Sequence, residues 1–142
     1  MTAERTKRPT AYVVDASVAV KWFSDEEGSI RARNFLRRHT DGKIQLVAPD
    51  LLLYEVANAL ARGKQVQASS VVDALALIHT VNIRLVSLTN ATIMQAAQLC
   101  NKYRLTFYDA AYTSLAADLG IPLLSADPKG HRHIEEISVK IL

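Results

Sequence analysis

Tyr12, Val13 and Val14 form an apolar run with no polar alternation, which predicts a strand buried on both faces, and the run breaks off at Asp15. The spacing from Val18 to Trp22 then fits a short helix leaving the strand. A second helix is expected from about Glu26 to Arg38, capped by Ser24 or Asp25, with Ile30, Phe35 and Leu36 turned inward and Asp41-Gly42 as its stop. Ile44 to Ala48 reads as the second strand, and Pro49-Asp50 opens a helix, LLLYEVANAL, that runs to Gly63. Ser69 or Ser70 is positioned to cap the next helix, whose inner stripe is Val71, Ala74, Leu75 and Ile78.

The alternation continues to the end of the chain. Ile83 to Leu88 reads as a third strand, and Thr89 or Asn90 opens a helix with Ile93, Ala96, Ala97, Cys100 and Tyr103 on one side. Thr106 caps a further helix closed by Gly120; Ile121 to Ser125 is a strand, and Ser138 to Leu142 a last one. Strands alternating with helices imply right-handed crossovers, a mainly parallel sheet of four or five strands, and helices on both faces. The fold class is therefore α/β, a three-layer α/β/α sandwich.

At 142 residues, 49% of them hydrophobic and 22% charged, the chain suits a single domain, residues 1–142, with residues 1–10 as a flexible N-terminal extension. No apolar run reaches membrane-spanning length, and the first ten residues lack the apolar middle of a secretory signal, so a soluble cytoplasmic protein is expected. Cys100 is alone, which leaves no internal disulfide and no cysteine-built zinc site. The formal charge of +3 permits a polyanionic partner without requiring one, and the arginines at 31, 33, 37 and 38 also read as solvated surface.

Most of the 14 acidic residues lie where solvation explains them. Four do not. Asp15 and Asp127 each follow an apolar strand, Glu55 interrupts an apolar helix, and Asp109 sits in a first turn beside Tyr108, Ala110 and Ala111. Each has a local reading too: a helix cap for Asp15, a dipole partner for Asp109, a turn before Pro128 for Asp127, and an edge pair with Arg62 or Lys64 for Glu55. Together they fit the crevice beyond the carboxyl ends of an open sheet, where such folds place ligands. Two carboxylates roughly 4 Å apart repel by about 4 kcal/mol at an effective dielectric near 20, so convergence demands either protons or a cation.

Oxygen donors without a neighbouring histidine or cysteine suit Mg²⁺ or Mn²⁺. In phosphodiester hydrolysis such ions activate a water and neutralise charge on the nonbridging and leaving oxygens. Ser17 and Ser125, each two residues from an acid, can hydrogen-bond the carboxylates or bound waters, or serve only as a cap and a turn.

In order and spacing, VVDASVAVKWF with Asp15, LLLYEVANAL with Glu55, TFYDAAYTSLA with Asp109 and PLLSAD with Asp127 resemble the acidic motifs of the PIN-domain ribonucleases, and among them the small VapC-type toxins of bacterial and archaeal toxin-antitoxin pairs. The likeness spans about residue 11 to residue 142. It implies a Mg²⁺- or Mn²⁺-dependent endoribonuclease in which Asp15, Asp109 and Asp127 approach the metal, Glu55 binds it directly or through water, and Ser125 stands where relatives carry threonine or serine. It further implies a homodimer and a cognate antitoxin protein, whose contacts by analogy fall on residues 26 to 63.

After Asp127 the chain departs from many relatives, running PKGHRH instead of continuing into a helix. His131 and His133 read as solvated rather than as ligands; with Lys129 and Arg132 they are placed, if functional, to meet RNA phosphates. No glycine-rich fingerprint follows the first strand, and Ser17 occupies the place of the second aspartate of a phosphoaspartate hydrolase. A receiver-like module would lack Glu55 and Asp127 in these contexts. The alternative function is a non-catalytic RNA- or protein-binding module of the same fold, against which the presence of all four acids argues.

Overall fold

The computed structural model describes residues 10–63, 68–128 and 133–142. Five parallel strands form one sheet in the order β3-β2-β1-β4-β5: β1 (Thr10–Val14), β2 (Ile44–Pro49), β3 (Arg84–Val86), β4 (Leu123–Ser125) and β5 (Val139–Ile141). The helices are α1 (Ala16–Ala19), continued by a 3-10 turn at Val20–Phe23, then α2 (Ser29–Thr40), α3 (Leu51–Ala61), α4 (Ala68–Thr80), α5 (Asn90–Tyr103) and α6 (Phe107–Leu119). The chain steps from β1 outward to β2 and β3, then returns past β1 to β4 and β5. Right-handed crossovers therefore put α1 to α4 on one face and α5 and α6 on the other. The expected three-layer sandwich is the observed one.

This path creates a switch point between β1 and β4, where the direction of winding reverses. The central strands are apolar because both faces are covered: Val13, Val14, Leu46, Leu123 and Leu124 have no exposed surface. Burying each such side chain contributes about 1.5–3 kcal/mol, so charge is excluded until the strand ends. Asp15 and Asp127 come just after the carboxyl ends of β1 and β4. Helix α3 leaves β2 at that same edge, and α6, which runs back toward the start of β4, begins there.

Several boundaries differ from the sequence reading. Neither Ser24 nor Asp25 caps α2: Asp25 pairs with Arg33 at 3.0 Å, Ser24 Oγ donates to the Val20 carbonyl, and Gly28, at φ 86°, is the N-cap. Starting at Ser29, the helix buries Ser29, Ala32 and Phe35, and rotates Ile30 to 83% exposure. Ser69 and Ser70 lie inside the first turn of α4 rather than before it. In α5 the inner stripe is Thr92, Ala96 and Leu99, while Ile93 and Ala97 face outward, because α5 packs on α6 along one narrow seam. Strand β3 is shorter than expected, and Thr10 belongs to β1 rather than to an extension. Residues 1–9, Lys64 and the stretch from Lys129 to Arg132 lie outside the described residues. No described helix is long and apolar enough to cross a membrane.

Candidate active site

Asp15 is where the strand stops being apolar and the sheet stops covering it. Its backbone remains in the sheet, the N–H donating to the Leu124 carbonyl at 3.2 Å, so the side chain is fixed at the switch point. That side chain is buried and accepts from the Val18 N–H at 3.3 Å as the N-cap of α1, and from Ser17 Oγ at 2.5 Å. The capping role read from the sequence is real, and it also presets the carboxylate.

The two serines join the strand ends. Ser17 Oγ accepts from the Ala126 N–H at 2.9 Å, Ser125 Oγ accepts from the Asp127 N–H at 3.1 Å, and the two hydroxyls lie 3.4 Å apart. Ser125 is fully buried, whereas Asp127 is exposed. The loop carrying Asp127 is thereby tied to the loop carrying Asp15.

Asp109 lies in the first turn of α6, its N–H donating to the cap hydroxyl of Thr106 at 3.1 Å, so the helix dipole favours its charge as the local reading expected. Glu55 lies one turn into α3 and makes no ion pair with Arg62 among the described residues. Its Oε1 is buried with no hydrogen-bond partner. Burial is the main reason its carboxyl is pushed above the ordinary value; the charges of Asp109 and Asp15 push the same way, against a lowering by the nearby Tyr112 hydroxyl.

Tyr112 is the residue that the sequence reading missed. It is almost fully buried in α6, three positions after Asp109 and so on the same helical face. Its hydroxyl is raised by burial first, then by Glu55, Asp15 and Asp109. It lies close enough to favour the charged form of Glu55, yet neither that hydroxyl nor Glu55 Oε1 completes a well-formed hydrogen bond. The YDAAY spacing was the available signal.

The charges of Asp15 and Asp109 thus both bear on Glu55 and on Tyr112 across the switch point, and Asp127 is not among the charges that do. A half-buried carboxylate with an orphaned oxygen facing two like charges fits a hard cation better than it fits an empty crevice. Among the described residues, no three histidine, cysteine, aspartate or glutamate side chains close into a ready-made ligand group. Mg²⁺, which dehydrates reluctantly and takes only one or two carboxylates, tolerates such an open donor set. His133 is exposed, and His131 lies outside the described residues.

The PIN-domain family model matches residues 12–137. Curated protein sequences give no significant match. Among solved structures, VapBC2 from Rickettsia felis, bound to a DNA fragment from its promoter, is similar with a TM-score of 0.72 at 10% identity, covering 94% of this chain and 99% of that one. A toxin-antitoxin complex from Klebsiella pneumoniae gives 0.66 at 13% identity, over 89% and 94%. VapC20 of Mycobacterium tuberculosis, a sarcin-ricin-loop-cleaving toxin, gives 0.68 at 18% identity, over 84% and 92%. At these identities the likeness is one of fold.

Proposed function

The chain belongs to the PIN-domain family, and on that footing we propose that it is a divalent-metal-dependent endoribonuclease, the toxin of a type II toxin-antitoxin pair, acting in the cytoplasm. The observation that carries this reading is the meeting of Asp15, Glu55 and Asp109 at the switch point, with the Glu55 carboxyl held above its usual range. The fold likeness to toxins and toxin-antitoxin complexes supports a protein antitoxin as partner; the homodimer is proposed from the family resemblance alone.

In this reading Asp15, Asp109, Asp127 and Glu55 would hold Mg²⁺ or Mn²⁺, one or two of them directly and the others through its waters, and the ion when bound would lower the pKa of a water and neutralise charge on the phosphodiester. The chain's own residues prepare the place. Ser17 orients Asp15 by direct donation, and its link to Ser125 holds the Asp127 loop alongside. Asp15 and Glu55 bring buried carboxylate oxygens to one edge of the sheet, and the Glu55 Oε1 that lacks a hydrogen-bond partner favours a cation there over a second anion. Tyr112 limits the proton affinity of Glu55, leaving that oxygen ready to act as a ligand or to accept a proton from water.

The test is cleavage of mixed structured and single-stranded RNAs by antitoxin-free protein with Mg²⁺, Mn²⁺ or EDTA, beside Asp15→Asn and Asp109→Asn. Metal-dependent cutting by the parent and its loss in both folded variants is expected. Equal cutting by the variants, or none by the parent with either metal, would leave a binding module in place of a nuclease.

A further inference from the structure

Two tyrosines immediately precede two of the acids: Tyr54 before Glu55 and Tyr108 before Asp109. Neighbouring helical residues project about 100° apart, so each ring stands beside its carboxylate rather than beneath it. Both rings are exposed, Tyr54 at 74% and Tyr108 at 57%, and neither belongs to the packed core. Although they come from helices on opposite faces of the sheet, both line one cleft of about 830 Å³, together with Ser17, Lys21, Glu55 and Asn58. A cleft of that size is in the range that holds small organic ligands.

The polar groups in its walls narrow the occupant. Lys21 Nζ already donates to Glu26 at 2.8 Å and to the Glu27 carbonyl at 2.7 Å, so its charge is answered within the chain. The cleft therefore presents two aromatic faces and an amide more readily than an ammonium for a phosphate. Aromatic rings of this kind hold unpaired nucleobases by stacking, and an amide can both donate to and accept from a base edge.

We propose that this cleft is a nucleobase subsite in which an unpaired base flanking the scissile phosphodiester stacks on Tyr54 and Tyr108, with Asn58 at its edge. The subsite rests on the nuclease reading for the chemistry beside it. Occupancy requires an unpaired base, because a paired base cannot enter without leaving its stack. Such contacts typically contribute enough per base to change affinity about tenfold or more when the ring is removed.

The experiment uses the full chain carrying Asp15→Asn, and an unstructured RNA with 2-aminopurine at successive positions, read in Mg²⁺ and in EDTA. Stacking quenches the probe at one or two positions. Tyr54→Ala and Tyr108→Ala are expected to weaken binding about tenfold and to restore emission. Tyr54→Phe keeps both binding and quenching, the same RNA annealed to its complement binds about tenfold more weakly, and Met94→Ala, exposed on α5, changes nothing. Unchanged binding and quenching in the alanine variants, or equal binding of the duplex, overturns the subsite. It is equally overturned if those variants bind RNA normally but lose a protein partner, which gives the cleft to that partner. Tyrosine-dependent quenching by a protein whose parent never cuts would retain the subsite and remove the nuclease; cutting that ignores both tyrosines would do the reverse.

Discussion

Ser17 and Ser125 bring their hydroxyls to 3.4 Å across 108 positions of sequence, and through that contact the ends of β1 and β4 become one rigid edge. Ser17 donates to Asp15 while accepting from the Ala126 N–H, so it serves both loops at once. Ser17→Ala leaves that N–H without its partner and removes a donor from the Asp15 carboxylate. The expected cost is about 1–3 kcal/mol, the usual range for an orphaned part-buried group, and urea denaturation should show a lower midpoint at unchanged slope. Ser125→Ala should cost less, since it loses only the Asp127 N–H contact and the shared hydroxyl contact, and the double variant should cost less than the sum. Strict additivity would show that the two serines act independently.

Asp15→Asn separates capping from chemistry. Asparagine caps helices about as well as aspartate and keeps an oxygen for the Val18 N–H, so the variant should unfold within about 0.5 kcal/mol of the parent. Asp15→Ala should lose about 1 kcal/mol, the ordinary value of an N-cap. RNA cleavage should fall at least about a hundredfold in both, the scale of losing one preorganised electrostatic contact. Thermal unfolding beside a cleavage assay reads the two effects separately; an active Asp15→Asn would strip that carboxylate of its role.

The strands, their parallel pairing and the position of Asp15 were legible because burial on both faces leaves an unbroken apolar run that ends where the sheet does. Thr106 was equally plain, since an N-cap needs only its own side chain and the next turn, and of the two candidates Thr89 and Asn90 it is Thr89 that caps α5. The start of α2 was not, because Asp25 answers Arg33, a partner no local pattern announces. Exposure of Ile30 and Ile93 was hidden for a related reason: apolar periodicity shows that a stripe exists, but which neighbour covers it depends on the fold. At the candidate site, context set four acids apart in the sequence, and the structure brings the charges of Asp15 and Asp109 to bear on Glu55. The unequal burial of Asp15 and Asp127, and the presence of Tyr112 behind Glu55, arise only when α3 and α6 meet over the edge of the sheet.

Glu55 makes the metal-free protein sensitive to pH in a defined direction. Its folded pKa lies above the 4.5 of an unperturbed carboxyl, so between those two values the folded state holds a proton that the unfolded state releases. Stability therefore falls as pH rises through that window, and the penalty is fully present above it. Glu55→Gln removes the group. In EDTA near neutral pH the variant should melt roughly 2–4 °C above the parent, a modest figure because Glu55 is only half-buried and solvent screens it. The gap should close as pH approaches 4.5, and Mg²⁺ should raise the melting point of the parent more than that of the variant. Melting curves that run parallel at every pH would refute the penalty.

Tyr112→Phe probes the same carboxyl from behind. The hydroxyl is buried and lacks a well-formed hydrogen bond, so its removal should leave stability unchanged or slightly raised, by up to about 1 kcal/mol. Its influence on Glu55 is a lowering, and without it the carboxyl should hold its proton to still higher pH. A cation must displace that proton, so Mn²⁺ affinity measured by calorimetry should drop in Tyr112→Phe, most clearly at mildly acid pH, and recover as pH rises. Tyr112→Leu leaves a packing defect as well and should lose about 1–3 kcal/mol of stability, which separates a structural loss from the electrostatic one. Identical Mn²⁺ affinities for parent and Tyr112→Phe at every pH would reduce Tyr112 to a core side chain.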